Sequence, residues 1–391
     1  MGPLAAGGLS TAAEGGVPLP INKPDLDGMA PALIGWYRRH VRPLPWREEP
    51  TPYRVWVSEI MLQQTRIEAV LPYFDRFMET LPNIRALAEA EEDLLLKLWE
   101  GLGYYSRVRN LQKAARMVMS EYDGRLPDRV EDLLRLPGIG DYTAGAIASI
   151  AYGRRAAAVD GNVLRVFARL TACREDILRP AVKKELSGVV LSQVPEEAPG
   201  TFNQAVMELG ETICLPNTEP KCSLCPIRAF CRGAAEGIAR ELPVRAPKKA
   251  RRIEHRLILV AVTDEQTPRV LLRRRSDKGL LAGLWELPGV VLPGESDEAA
   301  CLETAEQEAR RWGLHPDRIQ PLGPGRHIFS HVEWRMQGVL LLVPAFDPPP
   351  DSRLVTGREL AEDLALPSAF RAYASLLPIL LASGGTGSCL E

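Results

Sequence analysis

Four cysteines fall within eighteen residues, in the tract Cys214-Leu-Pro-Asn-Thr-Glu-Pro-Lys-Cys222-Ser-Leu-Cys225-Pro-Ile-Arg-Ala-Phe-Cys231. The other three of the seven in the chain are scattered at Cys173, Cys301 and Cys389. Thiolates this close together can converge on one metal centre, and Pro216, Pro220 and Pro226 stiffen the loop that presents them. Two chemistries suit four thiolates, a 4Fe–4S cluster and a tetrahedral structural zinc. A zinc ribbon pairs two short Cys hairpins across a longer stretch. Here one Cys-x-x-Cys has a single Cys on either side, and that asymmetry favours the cluster.

Two carboxylates stand where acid–base work could be done. Val159-Asp160-Gly161-Asn162-Val163 sets an Asp ahead of an amphipathic helix expected over 162–170, where amides and the helix dipole favour the anion. Its bland role there is an N-cap. Glu59 lies beside Ile60, Met61 and Leu62, where desolvation would favour the acid form; taken alone it reads as a surface helix Glu. A third element, Leu136-Pro137-Gly138-Ile139-Gly140, separates helical stretches expected over 130–135 and 142–151. Its glycines suit a tight turn whose amides, opening the next helix, could face a phosphate. A plain helix–helix turn fits those five residues equally well.

The elements that position these residues follow from apolar spacing. Ile60-Met61-Leu62, Ile67, Val70-Leu71 and Phe74 recur at helical intervals, as do Leu94-Leu95, Leu98 and Leu102, and Val163, Val166-Phe167 and Leu170. Pro72, Pro82, Pro127 and Pro137 punctuate the segments. The stretch 29–240 therefore reads as all-helical. From Arg240 to Arg256 seven Lys/Arg face two Glu, which predicts a basic, solvated linker over 241–256. Beyond it, Leu257–Val262, Val270–Leu272 and Val339–Val343 are short β-rich runs, with one helix expected over 296–312. An α+β domain over 257–382 results. The Gly/Ala/Pro-rich residues 1–28 and the Gly/Ser-rich 383–391 are expected to be disordered.

At 391 residues, two or three domains of about 150 residues are expected. A hydrophobic content of 46% and a charged content of 25% are those of a globular protein with a sizeable core. The net charge of −2 argues against nucleic acid as a partner, but a binding face needs only a local positive field. No stretch is apolar for long enough to span a membrane. An odd cysteine count fits a reducing cytoplasm, the expected compartment.

Together, the hairpin, the Asp and the Cys tract occur in the order and spacing of the endonuclease III-like DNA glycosylases. The resemblance narrows to the adenine DNA glycosylases of the MutY family on Pro45-Trp46-Arg47, the run from Trp56 to Thr65, Trp99-Glu100-Gly101-Leu102-Gly103-Tyr104-Tyr105-Ser106-Arg107 and Phe202-Asn203-Gln204. It covers 30–240 strongly and the rest more loosely. The fold it implies is multidomain: an all-α helix-hairpin-helix glycosylase domain, its hairpin element at about 130–152 and its iron–sulfur loop at 214–231, followed by an α+β Nudix-like domain. Seven residues separate Cys214 from Cys222, one more than is usual in the family.

The resemblance also implies roles. Glu59 protonates adenine N7 and later assists the water; Asp160 stabilises the cationic sugar by charge or covalently; Tyr142 and Asn162 orient this chemistry. Arg42, Trp46 and Gln204 line an adenine pocket. Gln64, Thr65, Leu102 and Tyr104, with Pro137, Gly138, Ile139 and Gly140, meet the DNA. Phe329, Ser330 and His331 read 8-oxoguanine, and Cys214, Cys222, Cys225 and Cys231 hold a 4Fe–4S cluster. The implied partner is double-stranded DNA with adenine opposite 8-oxoguanine or guanine, bound by a monomer.

Rival readings remain. An endonuclease III-like glycosylase/lyase for oxidised pyrimidines carries a Schiff-base Lys two residues past the second hairpin glycine, where this chain has Tyr142. A non-catalytic lesion-binding module would not need both Glu59 and Asp160. A Nudix pyrophosphatase needs adjacent metal-binding glutamates where the chain has Arg310 and Arg311.

Overall fold

The computed structural model describes residues 25–247 and 250–382. The extension expected over 1–28 enters it only from Asp25; the expected tail 383–391 and Lys248–Lys249 of the basic linker lie outside the described residues. The chain divides into two compact units, and the helical stretch is shared between them. One unit contains the segment ending at Leu44, then Asp128–Val130 and Gly140–Pro247; the other contains Pro45–Pro127, Glu131–Ile139 and the segment from Lys248 onward.

In the first unit the N-terminal helix Met29–His40 packs Leu33, Trp36 and Tyr37 into one core with Val163, Val166 and Phe167 of helix Gly161–Leu170 and Phe202, Val206 and Leu209 of helix Pro199–Thr212. Leu26, ahead of the expected domain start, is buried in the same core. Helices Pro180–Gln193 and Pro199–Thr212 open on proline, whose fixed φ suits the first helical position. Helix Asp141–Ala146 continues into a π-helical turn over Ile147–Ala151.

The second unit begins with helices that include Pro52–Leu62, Ile67–Thr80, Glu92–Leu98 and Ser106–Glu121. Pro72, expected to end a segment, lies inside Ile67–Thr80. The helix runs through it because Ile67, Val70, Phe74 and Phe77 keep one continuous buried face, which outweighs the lost backbone bond.

The same unit holds a seven-stranded mixed sheet of β1 (Arg252–Thr263), β2 (Arg269–Arg274), β3 (Trp285–Glu286), β4 (Gly289–Leu292), β5 (Arg318–Ile328), β6 (Val332–Val343) and β7 (Ser352–Thr356). β1 runs parallel to β6 from Arg252↔Val332 to Thr263↔Val343, and β5 pairs antiparallel with β6. Along β1, Leu257, Leu259 and Ala261 face helix Glu298–Arg311 through Cys301, Ala305 and Ala309, whereas Ile258, Val260 and Val262 face Phe370, Tyr373 and Leu377. Burial on both faces explains why this strand reads as an unbroken apolar run. β5 was not legible as a strand, since Pro321, Gly323, Pro324 and Gly325 resemble turn punctuation. It forms as an edge, with a register shift between Pro321 and Gly323 that absorbs them.

Candidate active site and nucleic-acid interface

Asp160 caps helix Gly161–Leu170, and its two oxygens divide their work. Oδ1 accepts from Val163 N at 2.7 Å and Oδ2 from Asn162 Nδ2 at 2.9 Å. Asn162 Oδ1 in turn accepts from Arg165 Nη2 at 2.8 Å, and Arg165 reaches the carbonyls of Gly210 and Cys214, each at 2.8 Å. One turn on, Arg169 Nη1 donates to Cys214 Sγ at 3.1 Å and to Leu215 O at 3.0 Å. A single helix thus presents the carboxylate at its start and braces the cysteine tract from two successive turns. Burial pushes the Asp160 carboxyl above its ordinary range, and the donors from Val163 and Asn162 only partly oppose that rise. Amides and dipole alone do not decide the balance here.

The approach to Asp160 is an extended segment fixed by one buried amide. Asn203 Nδ2 donates to Ser149 Oγ and Ala156 O, both at 2.8 Å, while its Oδ1 accepts from Ala158 N at 3.1 Å. On the same unit Arg42 is bidentate to the buried Glu208, at 2.6 and 3.0 Å, and meets Glu211 at 2.5 Å. Tyr37 Oη donates to Gln204 Oε1 at 3.1 Å, and Tyr142 Oη donates to Met207 Sδ at 3.8 Å.

Cys214, Cys222, Cys225 and Cys231 line one recess with Val166, Leu209 and Ile227. Burial raises the thiols of Cys222 and Cys231 and pushes Cys225 up to about 12. Such thiols ionise only beside strong positive charge, which a bound metal centre supplies. Among the described residues no three His, Cys, Asp or Glu side chains are arranged to hold a single metal ion. Four thiols lining one recess are a donor set that fits a thiolate-ligated metal centre.

Across the hairpin, Ile139 N bonds Leu136 O at 3.2 Å, and Gly140 caps helix Asp141–Ala146 without a side-chain hydrogen bond. Gly138 has φ +80°, and a Cβ there would stand 2.8 Å from Asn110 Cβ, so only glycine fits.

On the second unit, Glu59 belongs to helix Pro52–Leu62 and is 5% exposed, between buried Ser58 and Ile60. Trp46 is buried edge-on against Phe74, ring centroids 5.0 Å apart. Gln64 and Tyr104 are exposed, Thr65 is half-buried and Leu102 is buried. Phe329, Ser330 and His331 form the turn between β5 and β6, with Phe329 N bonded to Val332 O at 2.9 Å and Ser330 Oγ 3.2 Å from His331 Nδ1. Phe329 packs edge-on to Trp334 at 4.9 Å. These three residues line a cavity of about 620 Å³ together with Leu102, Tyr104, Asn110 and Lys113.

Comparisons with known proteins identify the family. Residues 57–190 match the family described as the HhH-GPD superfamily base excision DNA repair protein, and residues 258–376 match the NUDIX domain. An adenine DNA glycosylase of Mus musculus is 38% identical, over 89% of this chain and 78% of its own. One of Homo sapiens is 36% identical, over 89% and 74%. The chain belongs to the adenine DNA glycosylases. It is an N-glycosylase of base excision repair, in a DNA-binding family, built as a helix-hairpin-helix domain followed by a Nudix domain. Among solved structures, a thermostable thymine-DNA glycosylase is 27% identical with a TM-score of 0.48, covering 53% of this chain and 95% of that one.

In this glycosylase the helix that carries metal-binding glutamates in Nudix hydrolases is self-neutralised. Arg310 pairs with Glu306 at 2.6 Å and Arg311 pairs with Glu308. No helix among the described residues is long and apolar enough to cross a membrane. Arg165, Arg169 and Asn203 carry structure that sequence reasoning assigned to no one. The available signal was two arginines four residues apart on an otherwise apolar helix face.

Proposed function

We propose that this glycosylase releases adenine mispaired with 8-oxoguanine or guanine, without cutting the strand. The observation that carries the reading is Asp160, a carboxylate held by two donors and enough buried to be raised, at the start of a helix braced onto the cysteine tract. Stacked adenine is out of reach and must be turned out of the duplex. We assign recognition of the extruded base to Arg42, Trp46 and Gln204. The duplex is assigned to Gln64, Thr65, Leu102 and Tyr104, and its phosphates to the turn Pro137-Gly138-Ile139-Gly140. Glu59, buried in its helix, delivers a proton to adenine N7 and later takes one from water; Asp160 stabilises the oxocarbenium-like sugar. Asn162 fixes one oxygen of that carboxylate, and Tyr142 stands where a lyase has its amine. A phenol forms no Schiff base, so β-elimination is not expected.

The four cysteines of the tract hold a 4Fe–4S cluster in this reading, whose positive iron keeps the thiols ionised. Purified protein should be brown, with broad near-ultraviolet and visible absorbance. Colourless protein carrying stoichiometric zinc after anaerobic purification would exclude the cluster.

A labelled duplex with one adenine opposite 8-oxoguanine tests the function. A strand break that appears only after alkali is the expected result; a break without alkali would restore the lyase reading. Ser330→Ala with His331→Ala should leave release opposite guanine intact while removing much of the preference for 8-oxoguanine. Base-edge hydrogen bonds are each worth ~1–3 kcal/mol of discrimination. An unchanged preference would take recognition away from the β5–β6 turn.

A further inference from the structure

Gln64 and Tyr104 share an unusual backbone state. Both are non-glycine residues with positive φ, 60° and 47°, and both side chains face solvent, Tyr104 at 48% exposure. The turn before Tyr104 is tight as well: Gly101 and Gly103 have φ +103° and +69°, and a Cβ on Gly101 would lie 2.2 Å from Tyr73 Oη. Left-handed backbone at a side-chain-bearing residue is unfavourable and persists only where surrounding structure over-determines it. Here one side chain reaches both turns.

Arg107 Nη1 donates to Ile60 O, Met61 O and Gln63 O at 2.8, 3.1 and 2.7 Å. Its Nη2 donates to Leu102 O and Gly103 O at 3.0 and 3.1 Å. The guanidinium also lies over the rings of Trp99 and Tyr104, 5.3 and 5.7 Å from their centroids. Trp99 Nε1 adds a bond to Gly103 O at 3.0 Å, and Arg107 N bonds Tyr104 O at 2.9 Å. The acceptors include carbonyls at the C-terminal end of the Glu59 helix, where the dipole favours a cation. Burial lowers this guanidinium to about 10.

We infer that Arg107 is a positioning residue that locks Gln64 and Tyr104 into one rigid, solvent-facing pair, and that this pair sets how readily the enzyme opens a stacked adenine. Five carbonyls on two turns need a planar fork with several fixed donors; a lysine ammonium offers one point and cannot span them. The exposed aromatic then enters the duplex on a backbone that does not yield, so the work of unstacking is not absorbed by the protein. The inference rests on the glycosylase reading above, because it concerns the step that precedes base release.

The test uses the full-length protein as wild type, Arg107→Lys and Arg107→Met, with two substrates of identical sequence. One is a duplex with a single adenine–guanine mispair. The other holds the same adenine in a short unpaired bubble, where extrusion is already mostly done. Single-turnover release by Arg107→Lys should fall ~10²-fold on the duplex, the scale expected of a small misplacement, with the bubble rate close to wild type. Melting curves identify a variant that has not folded, and Arg107→Lys keeps the test valid if Arg107→Met is such a one. Equal losses on duplex and bubble, or an undiminished duplex rate in folded Arg107→Lys, would overturn the inference. Wild-type protein inactive on both substrates would instead overturn the glycosylase assignment.

Discussion

Asp160→Asn is expected to slow adenine release ~10²–10³-fold or more while leaving mispair affinity nearly intact, because an amide offers no anion to the developing cation. The same substitution should not weaken the fold. Asp160 is raised from its ordinary value of 3.8, mainly by burial, so its ionised form costs stability in the folded state. That cost is absent below the unfolded value, grows as pH rises through the interval up to the raised one, and is complete above it. Asn caps a helix about as well as Asp, so the variant should melt at or above the wild-type temperature at neutral pH. The wild-type rate should fall on the acid side earlier than an ordinary aspartate would dictate. Single-turnover rates across pH, together with thermal melts, check both parts. Near-normal base release by the variant would remove Asp160 from the mechanism.

Glu59→Gln is expected to abolish release for a different reason. Gln is nearly the same size and can stay in the helix, but it has no proton to deliver to N7. General acid–base catalysis is worth ~10²–10⁴-fold, and loss of the proton donor should be felt at least on that scale. Glu59 is only 5% exposed, so the swap does not disturb a solvated face. The informative comparison is affinity for the mispair against single-turnover rate. A variant that binds poorly but reacts at the wild-type rate once bound would make Glu59 structural.

Some of this site was legible because its chemistry is local. The four thiols announce themselves by density, and Asp160 stands immediately before the helix it caps. Arg107 was visible only as a letter in a motif, since three of its acceptors lie 44 to 47 residues back and are backbone atoms that no side chain reveals. Asn203 escaped for the same reason, its partners being 45 to 54 residues away. The sheet was half legible: β1 and β6 are apolar on both faces, whereas β5 hides behind prolines and glycines that an edge strand tolerates. The sharing of the helices between two units left no mark in composition, because apolar periodicity says that a face is buried but not against what.

The pairing of helix Met29–His40 with helix Pro199–Thr212 has a consequence for how the protein is made. Of the two, helix Met29–His40 is made first, and the helix that helps cover Leu33, Trp36 and Tyr37 follows roughly 160 residues later. At ~5–20 residues per second that interval is roughly 8–30 s. Until that partner arrives, the nascent chain leaves Leu33, Trp36 and Tyr37 without the helix face that buries them in the finished fold.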